Sequence, residues 1–141
     1  MTIVSKMKGF NRHIGVQIES IEEGEAVLYI DLAPEHLNSG HIVHGGALAT
    51  LLDSACGAAA FSVLPQGKFA PTTNMSVAYM NAVGEGRITA KSRILKRGSK
   101  MLHCEAEVFQ DDLLLAKAQT SFTIIDRRKP LNVETTEGFE G

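Results

Sequence analysis

Asp53 is the residue of this sequence best placed to do chemistry, because it is the one charged residue between positions 46 and 64. An ionised carboxylate in apolar surroundings must be compensated or must shift its pKa, and such a group can act as a nucleophile or a general base. A carboxylate that points to solvent is the plainer interpretation. It is weakened by the small residues that share the face of Asp53 at helical spacing, namely Gly46, Ala49, Gly57 and Ala60. We therefore predict that another chain or a ligand approaches Asp53 closely.

Gly45 and Gly46 precede Asp53, where the same apolar stretch begins. The first N–H groups of a helix have no intrahelical partner and, together with the helix dipole, they attract negative charge. Two glycines allow a ligand to approach these donors, so either could stabilise the oxyanion that forms when a carbonyl is attacked. The alternative is that the glycines only shape the transition from loop to helix.

The spacing of Gly45 and Asp53 predicts a site shared by two chains. The residues are eight positions apart, which corresponds to about 12 Å along a helix that rises roughly 1.5 Å per residue. A reacting carbon needs its nucleophile and its oxyanion donor at roughly 3 Å each. One chain cannot supply both to one carbon, so we predict an obligate homodimer with active sites shared across a two-fold interface. A homotetramer is compatible with the same spacing.

Histidines and cysteines give no indication of a metal site. His36, His41 and His44 are separated by five and three positions, which matches no common zinc pattern. Cys56 and Cys104 lack Cys-x-x-Cys spacing and indicate a reduced intracellular setting. We predict no metal, and we expect His44 to brace the loop at the helix start by hydrogen bonding, with a direct catalytic role as the alternative.

The elements that position these residues follow from the periodicity of the chain. Residues 46–64 are alanine-rich and contain no proline, which predicts one long helix ending before Pro65. Strands are predicted where apolar residues alternate, over residues 14–19, 25–31, 72–80, 86–96, 101–110 and 114–125. This order indicates an α+β fold with one helix on an antiparallel sheet of five to six strands. We assign the domain to residues 1–126 and predict a flexible tail over residues 127–141.

Composition limits the class of partner. The formal net charge of −2 and the pI near 6.2 give no reason to expect nucleic acid or an anionic membrane surface. The apolar helix approaches membrane-spanning length, but Asp53 would cost about 3 kcal/mol at the centre of a bilayer. The first ten residues lack the features of a secretory signal. We therefore expect a cytoplasmic protein.

Three segments of the sequence, together with Asp53, form a pattern that resembles a known family. Residues 38–46 read Asn-Ser-Gly-His-Ile-Val-His-Gly-Gly, and Asp53 follows His44 by nine positions. Residues 72–80 read Thr-Thr-Asn-Met-Ser-Val-Ala-Tyr-Met, and residues 97–100 read Arg-Gly-Ser-Lys. Over about residues 14–125 the chain resembles the hotdog-fold thioesterases of the phenylacetate-pathway type and related acyl-coenzyme A (acyl-CoA) thioesterases. The resemblance implies a hotdog fold, in which an antiparallel sheet wraps one long helix, and hydrolysis of acyl-CoA.

The resemblance also implies roles for individual residues. Gly45 N–H would stabilise the oxyanion, Asp53 would act as nucleophile or general base, and Asn38 would arrange the thioester carbonyl or the reacting water. A hydroxyl on the strand after the helix would position that water. This residue is Thr72, with Thr73 as the near alternative.

Coenzyme A is part of the expected substrate, so no separate cofactor is predicted. Its contacts are expected at Gly46, Thr73, Arg97, Ser99 and Lys100. Arg97 and Lys100 carry the positive charge that phosphates require, although a solvated turn explains residues 97–100 equally well.

Two rival functions differ from hydrolysis in their chemistry. A hotdog-fold enoyl-CoA hydratase or dehydratase would use a histidine together with the helix carboxylate, but its histidine-phenylalanine and proline-rich lead-in is missing. A non-catalytic acyl-CoA-binding module would have no need of Asp53 combined with Asn38 and Gly45. Aromatic and medium-to-long aliphatic acyl groups both fit, with Phe61, Phe69 and Met80 as candidate pocket residues.

Overall fold

The computed structural model describes residues 7–127 and confirms the α+β class. The helices are α1 (Gly9–Ile14) and α2 (Gly45–Val63), and the strands are β1 (Gln17–Glu22), β2 (Glu25–Asp31), β3 (Lys68–Phe69), β4 (Thr72–Tyr79), β5 (Arg87–Arg97), β6 (Met101–Gln110), β7 (Leu113–Thr123) and β8 (Ile125–Asp126). A short 3₁₀ helix covers Pro34–His36 within the predicted loop. The tail predicted over residues 127–141 lies outside the described residues except for Arg127.

Six strands form one antiparallel sheet in the order β1-β2-β5-β6-β7-β4. Strand β4 follows the helix in sequence but pairs with β7 rather than with β5, so it lies at one edge of the sheet. Strand β1 lies at the other edge. Strands β3 and β8 form a separate two-stranded ribbon.

Helix α2 packs across one face of this sheet and forms the centre of the core. Its bulky face, which includes Leu48, Leu51 and Leu52, is buried. Ala60, which shares the face of Asp53 at helical spacing, is buried as well. By length and composition alone α2 could cross a membrane, yet its sheet-facing side is occupied by the core of this domain.

The N-terminal segment differs from the prediction. Ile14 ends helix α1 instead of opening the first strand, and Gly15 closes this helix with a left-handed φ of 86°. Six residues are too few for a helical period to appear in the sequence. The first hairpin is present, and Gly24 takes the positive φ that its turn requires.

Candidate active site

Asp53 of helix α2 is hydrogen-bonded to Thr72, the first residue of strand β4. The Thr72 hydroxyl donates to Asp53 Oδ1 at 2.8 Å. Burial raises the pKa of the Asp53 carboxyl above its ordinary value, and the hydrogen bond from Thr72 lowers it in part. No residue within 7–127 donates a hydrogen bond to the second carboxylate oxygen, so the pair presents a base strengthened by desolvation.

A bulge in β4 decides which threonine reaches Asp53. Thr72 is paired with the buried Phe122, and the register shifts before Asn74. Thr73 occupies the bulge and its hydroxyl contacts the Thr123 hydroxyl instead. The structure therefore places Thr72 at the carboxylate and Thr73 away from it.

His44 fixes the start of α2 as its N-cap residue. Its Nδ1 accepts the Gly46 N–H at 2.7 Å, which agrees with the bracing role expected for this histidine. A Cβ on Gly46 would lie 2.9 Å from that same nitrogen, so a side chain at position 46 would displace the capping imidazole. Because the Gly46 N–H is used inside the chain, its predicted contact with coenzyme A cannot run through this donor.

Gly45 presents the N–H that the cap does not use. No described residue accepts a hydrogen bond from this N–H, and the group belongs to the first turn of a helix, where donors attract negative charge. The Tyr79 hydroxyl lies beside it and donates to the Gly45 carbonyl at 3.2 Å. Tyr79 ends β4, and no role was predicted for it from the sequence.

Asn38 shapes the loop before the helix. Its Oδ1 accepts the Gly40 N–H at 2.8 Å, and its backbone carbonyl accepts the His41 N–H at 3.0 Å. His41 takes a positive φ of 61° in this turn. Within residues 7–127 no hydrogen bond joins Asn38 to Asp53 or Gly45, so the structure assigns Asn38 to the loop and leaves its expected contact with substrate as a prediction.

His36 is a second residue for which no role was predicted from the sequence. It is buried, its Nδ1 accepts the Ala33 N–H at 2.9 Å, and its Nε2 donates to the Ile14 carbonyl. Its own carbonyl accepts the His44 N–H at 2.8 Å. His36 therefore ties the end of α1 to the residue that caps α2.

The cationic turn lies at the opposite end of α2. Arg97 donates from Nη2 to the Val63 carbonyl at 2.6 Å and so caps the C-terminus of the helix. Ser99 and Lys100 are exposed in the following turn. The structure brings none of these three residues to Gly45 of the same chain, because β5 ends at Arg97 beside the C-terminus of the helix.

Known proteins resemble the chain in both sequence and fold. The sequence model of the thioesterase superfamily matches residues 40–117. The medium/long-chain acyl-CoA thioesterase YigI of Salmonella typhimurium is 27% identical over 131 residues, which cover 82% of this chain and 84% of YigI. A conserved protein of Pseudomonas aeruginosa is 31% identical, with a TM-score of 0.82 over 84% of this chain and 95% of its own.

Two further solved structures share the fold at lower identity. A mutant form of the phenylacetic acid degradation protein PaaI from Thermus thermophilus is 24% identical, with a TM-score of 0.75 over 81% of this chain and 96% of its own. A hypothetical thioesterase protein of Streptococcus pneumoniae, solved with coenzyme A, is 23% identical, with a TM-score of 0.74 over 82% and 89%. These similarities confirm the predicted hotdog fold.

Proposed function

The chain belongs to the thioesterase superfamily, and from this premise we propose that it hydrolyses acyl-CoA thioesters to a free acid and coenzyme A. The pair of Asp53 and Thr72 carries the proposal, because a desolvated carboxylate held by one hydroxyl is a base with no structural task in the helix. The name of YigI supports an acyl-CoA substrate, and so does the coenzyme A in the Streptococcus pneumoniae structure.

Asp53 drives the reaction in its ionised form. In one route it takes a proton from water while the water oxygen bonds to the thioester carbon; in the other, its own oxygen bonds to that carbon and forms an anhydride that water then cleaves. Both routes place negative charge on the carbonyl oxygen, where Gly45 N–H donates. Collapse of this oxyanion breaks the C–S bond and coenzyme A leaves as the thiolate; in the second route this step produces the anhydride, which water cleaves afterwards.

Strand β4 supports a site shared by two chains. Its first residue contacts Asp53 and its last residue contacts Gly45, so the two halves of the site lie at opposite ends of one edge strand. Antiparallel pairing of β4 with the β4 strand of a second chain would bring Thr72 of each chain next to Tyr79 of the other. Asp53 of one chain would then face Gly45 of the other, as the spacing along the helix requires.

The hydratase rival is disfavoured by the contacts of His44. That reaction needs a histidine beside the carboxylate, whereas within residues 7–127 no hydrogen bond joins His44 to Asp53, and His44 Nδ1 caps α2 instead. A binding module is disfavoured by Asp53 itself. Burying a carboxylate opposes folding, and binding alone does not require such a group.

The acyl group is proposed to lie along the face of α2 that carries Asp53, Gly57 and Phe61. A Cβ on Gly57, one helical turn after Asp53, would meet no atom within 4 Å, so there is space beside the carboxylate. Phe61 on the next turn is 64% exposed and offers an apolar surface. These features suit an aryl or a medium-to-long aliphatic chain.

The test is release of free thiol from a panel of acyl-CoAs that includes acetyl, phenylacetyl, octanoyl and palmitoyl esters. We expect Asp53→Asn and Asp53→Ala to lower kcat/KM on the best substrate by about 10³-fold or more. Asp53→Asn should melt at the same temperature or higher, because burial disfavours the ionised carboxylate that it removes. Wild-type protein that releases no thiol, or Asp53 variants that keep full activity, would overturn the proposal.

A further inference from the structure

Tyr79 covers the residue that supplies the proposed oxyanion donor. It is the last residue of β4, and its ring lies against Gly45: a Cβ built there would be 3.5 Å from two ring carbons and 3.6 Å from the hydroxyl oxygen. The hydroxyl donates to the Gly45 carbonyl at 3.2 Å. The side chain is 53% exposed, so it is not held there by burial in the core.

The peptide units on both sides of Gly45 are fixed by hydrogen bonds. The peptide unit that carries the Gly45 N–H also contains the His44 carbonyl. This carbonyl accepts the Ala47 N–H at 2.9 Å. The next unit runs from the Gly45 carbonyl, held by Tyr79, to the Gly46 N–H, held by His44. Tyr79 thus provides a side-chain hydrogen bond to this turn from a distant element, strand β4.

Such a contact matters because two consecutive glycines begin the helix. Glycine has the widest choice of backbone dihedrals, and the first turn of a helix frays readily. An oxyanion donor is effective only if its direction is set before the reaction, since reorganisation during the reaction would consume the stabilisation. A hydrogen bond to the Gly45 carbonyl restricts rotation about the Gly45 backbone bonds, which join that carbonyl to the peptide unit carrying the N–H.

We infer that Tyr79 is a positioning residue that aims the Gly45 N–H at the thioester oxygen; the inference rests on the proposed function. Tyr79 exchanges no proton and forms no bond to the reacting atoms. It acts through Gly45 by holding the first turn of α2. Loss of its hydroxyl therefore lowers the rate of the chemical step and leaves ground-state binding of substrate nearly unchanged.

Tyr79→Phe tests this role because it keeps the ring and removes the hydroxyl. Tyr29→Phe is the matched control, since Tyr29 is the other tyrosine of the chain and lies on β2 beneath the Arg87 guanidinium. We expect Tyr79→Phe to lower kcat about three- to tenfold with KM within about twofold of wild type, as for loss of one neutral hydrogen bond. The pH at which activity declines should not move, because Asp53 is unaffected. Tyr79→Ala should lower kcat further.

The outcomes separate this inference from the proposed function. Wild-type protein inactive on every acyl-CoA would overturn both. Active wild type with Tyr79→Phe equal to Tyr29→Phe would overturn the positioning role alone. A rise in KM at unchanged kcat would also overturn it, because that result assigns Tyr79 to substrate binding.

Discussion

The two edges of the sheet differ in how they are protected against pairing. Strand β1 carries Glu19 and Glu22, and a register shift between Ile18 and Ser20 interrupts its ladder. Strand β4 has no charged residue, and its bulge lies at its first residues, which leaves the rest regular. Charges and bulges are the usual means by which an edge strand avoids pairing with another chain. Of the two edge strands, only β1 combines charged residues with a bulge.

The unprotected edge is also the edge that touches both halves of the proposed site. Thr72 and Tyr79 are the two ends of β4, and they contact Asp53 and Gly45. An open edge invites uncontrolled pairing unless a two-fold partner closes it. The contrast therefore supports the proposal that a second chain pairs with β4 and completes the site.

A lysine introduced on each edge strand would test this contrast most severely. Ser76 is exposed near the centre of β4, where two copies would meet, so Ser76→Lys places like charges together across the two-fold axis. We expect a shift from dimer to monomer in light scattering and loss of thioesterase activity by about 10³-fold. Gln17→Lys makes the same type of change on β1 and should leave mass and activity unchanged. A dimeric, active Ser76→Lys protein would show that β4 is not the interface.

Gly45→Pro removes the proposed oxyanion donor, the N–H of the residue that Tyr79 contacts, with little change to the backbone. His44 has φ −65° and ψ 136°, which a following proline permits, and the first helical position accepts proline well. We expect kcat to fall by about 10² to 10³-fold in thiol-release assays, the usual cost of losing one oxyanion donor. Gly45→Ala keeps the N–H and should retain most of the activity. Equal activity of the two variants would remove Gly45 from the mechanism.

Thr72→Ala removes the hydrogen bond to Asp53 at the first residue of β4, and we expect a smaller loss of activity than for Gly45→Pro. The hydrogen bond from Thr72 lowers the pKa of Asp53, so its loss moves that pKa further up. Because Asp53 acts when ionised, the activity of the variant should decline at a higher pH than that of wild type, with kcat at the optimum lowered about tenfold. Thr73→Ala should keep the wild-type pH profile, since Thr73 contacts Thr123. An unmoved profile in Thr72→Ala would contradict the assigned pairing.

The sequence predicted the helix and the residues on it, because their signal is local. Helix α2 lies within one residue of the predicted bounds, and Asp53 was identified by charge alone in an apolar stretch. The edge position of β4 could not be predicted, because it depends on pairing with β7, which follows two other strands. The prediction that residue 14 opens a strand was wrong, since a six-residue helix shows no period.

Contacts that join distant parts of the chain explain which residues of the site could not be predicted. His36 binds the Ile14 carbonyl across 22 positions, and Tyr79 binds the Gly45 carbonyl across 34. In both cases the partner is a backbone atom, which has no signature in the sequence. The choice of Thr72 over Thr73 depends on a bulge, and a one-residue shift reverses which side chain faces the helix.

Mixing two inactive variants tests the shared site most directly. Asp53→Ala and Gly45→Pro disable opposite halves, so a mixed dimer would contain one intact site, made of Gly45 from the first chain and Asp53 from the second. After equal mixing and subunit exchange, about half of the dimers are mixed and half of their sites are intact, which predicts recovery of about one quarter of wild-type activity. Exchange is followed by mass spectrometry of differently labelled chains. Proven exchange with no recovered activity would show that each site is built within a single chain.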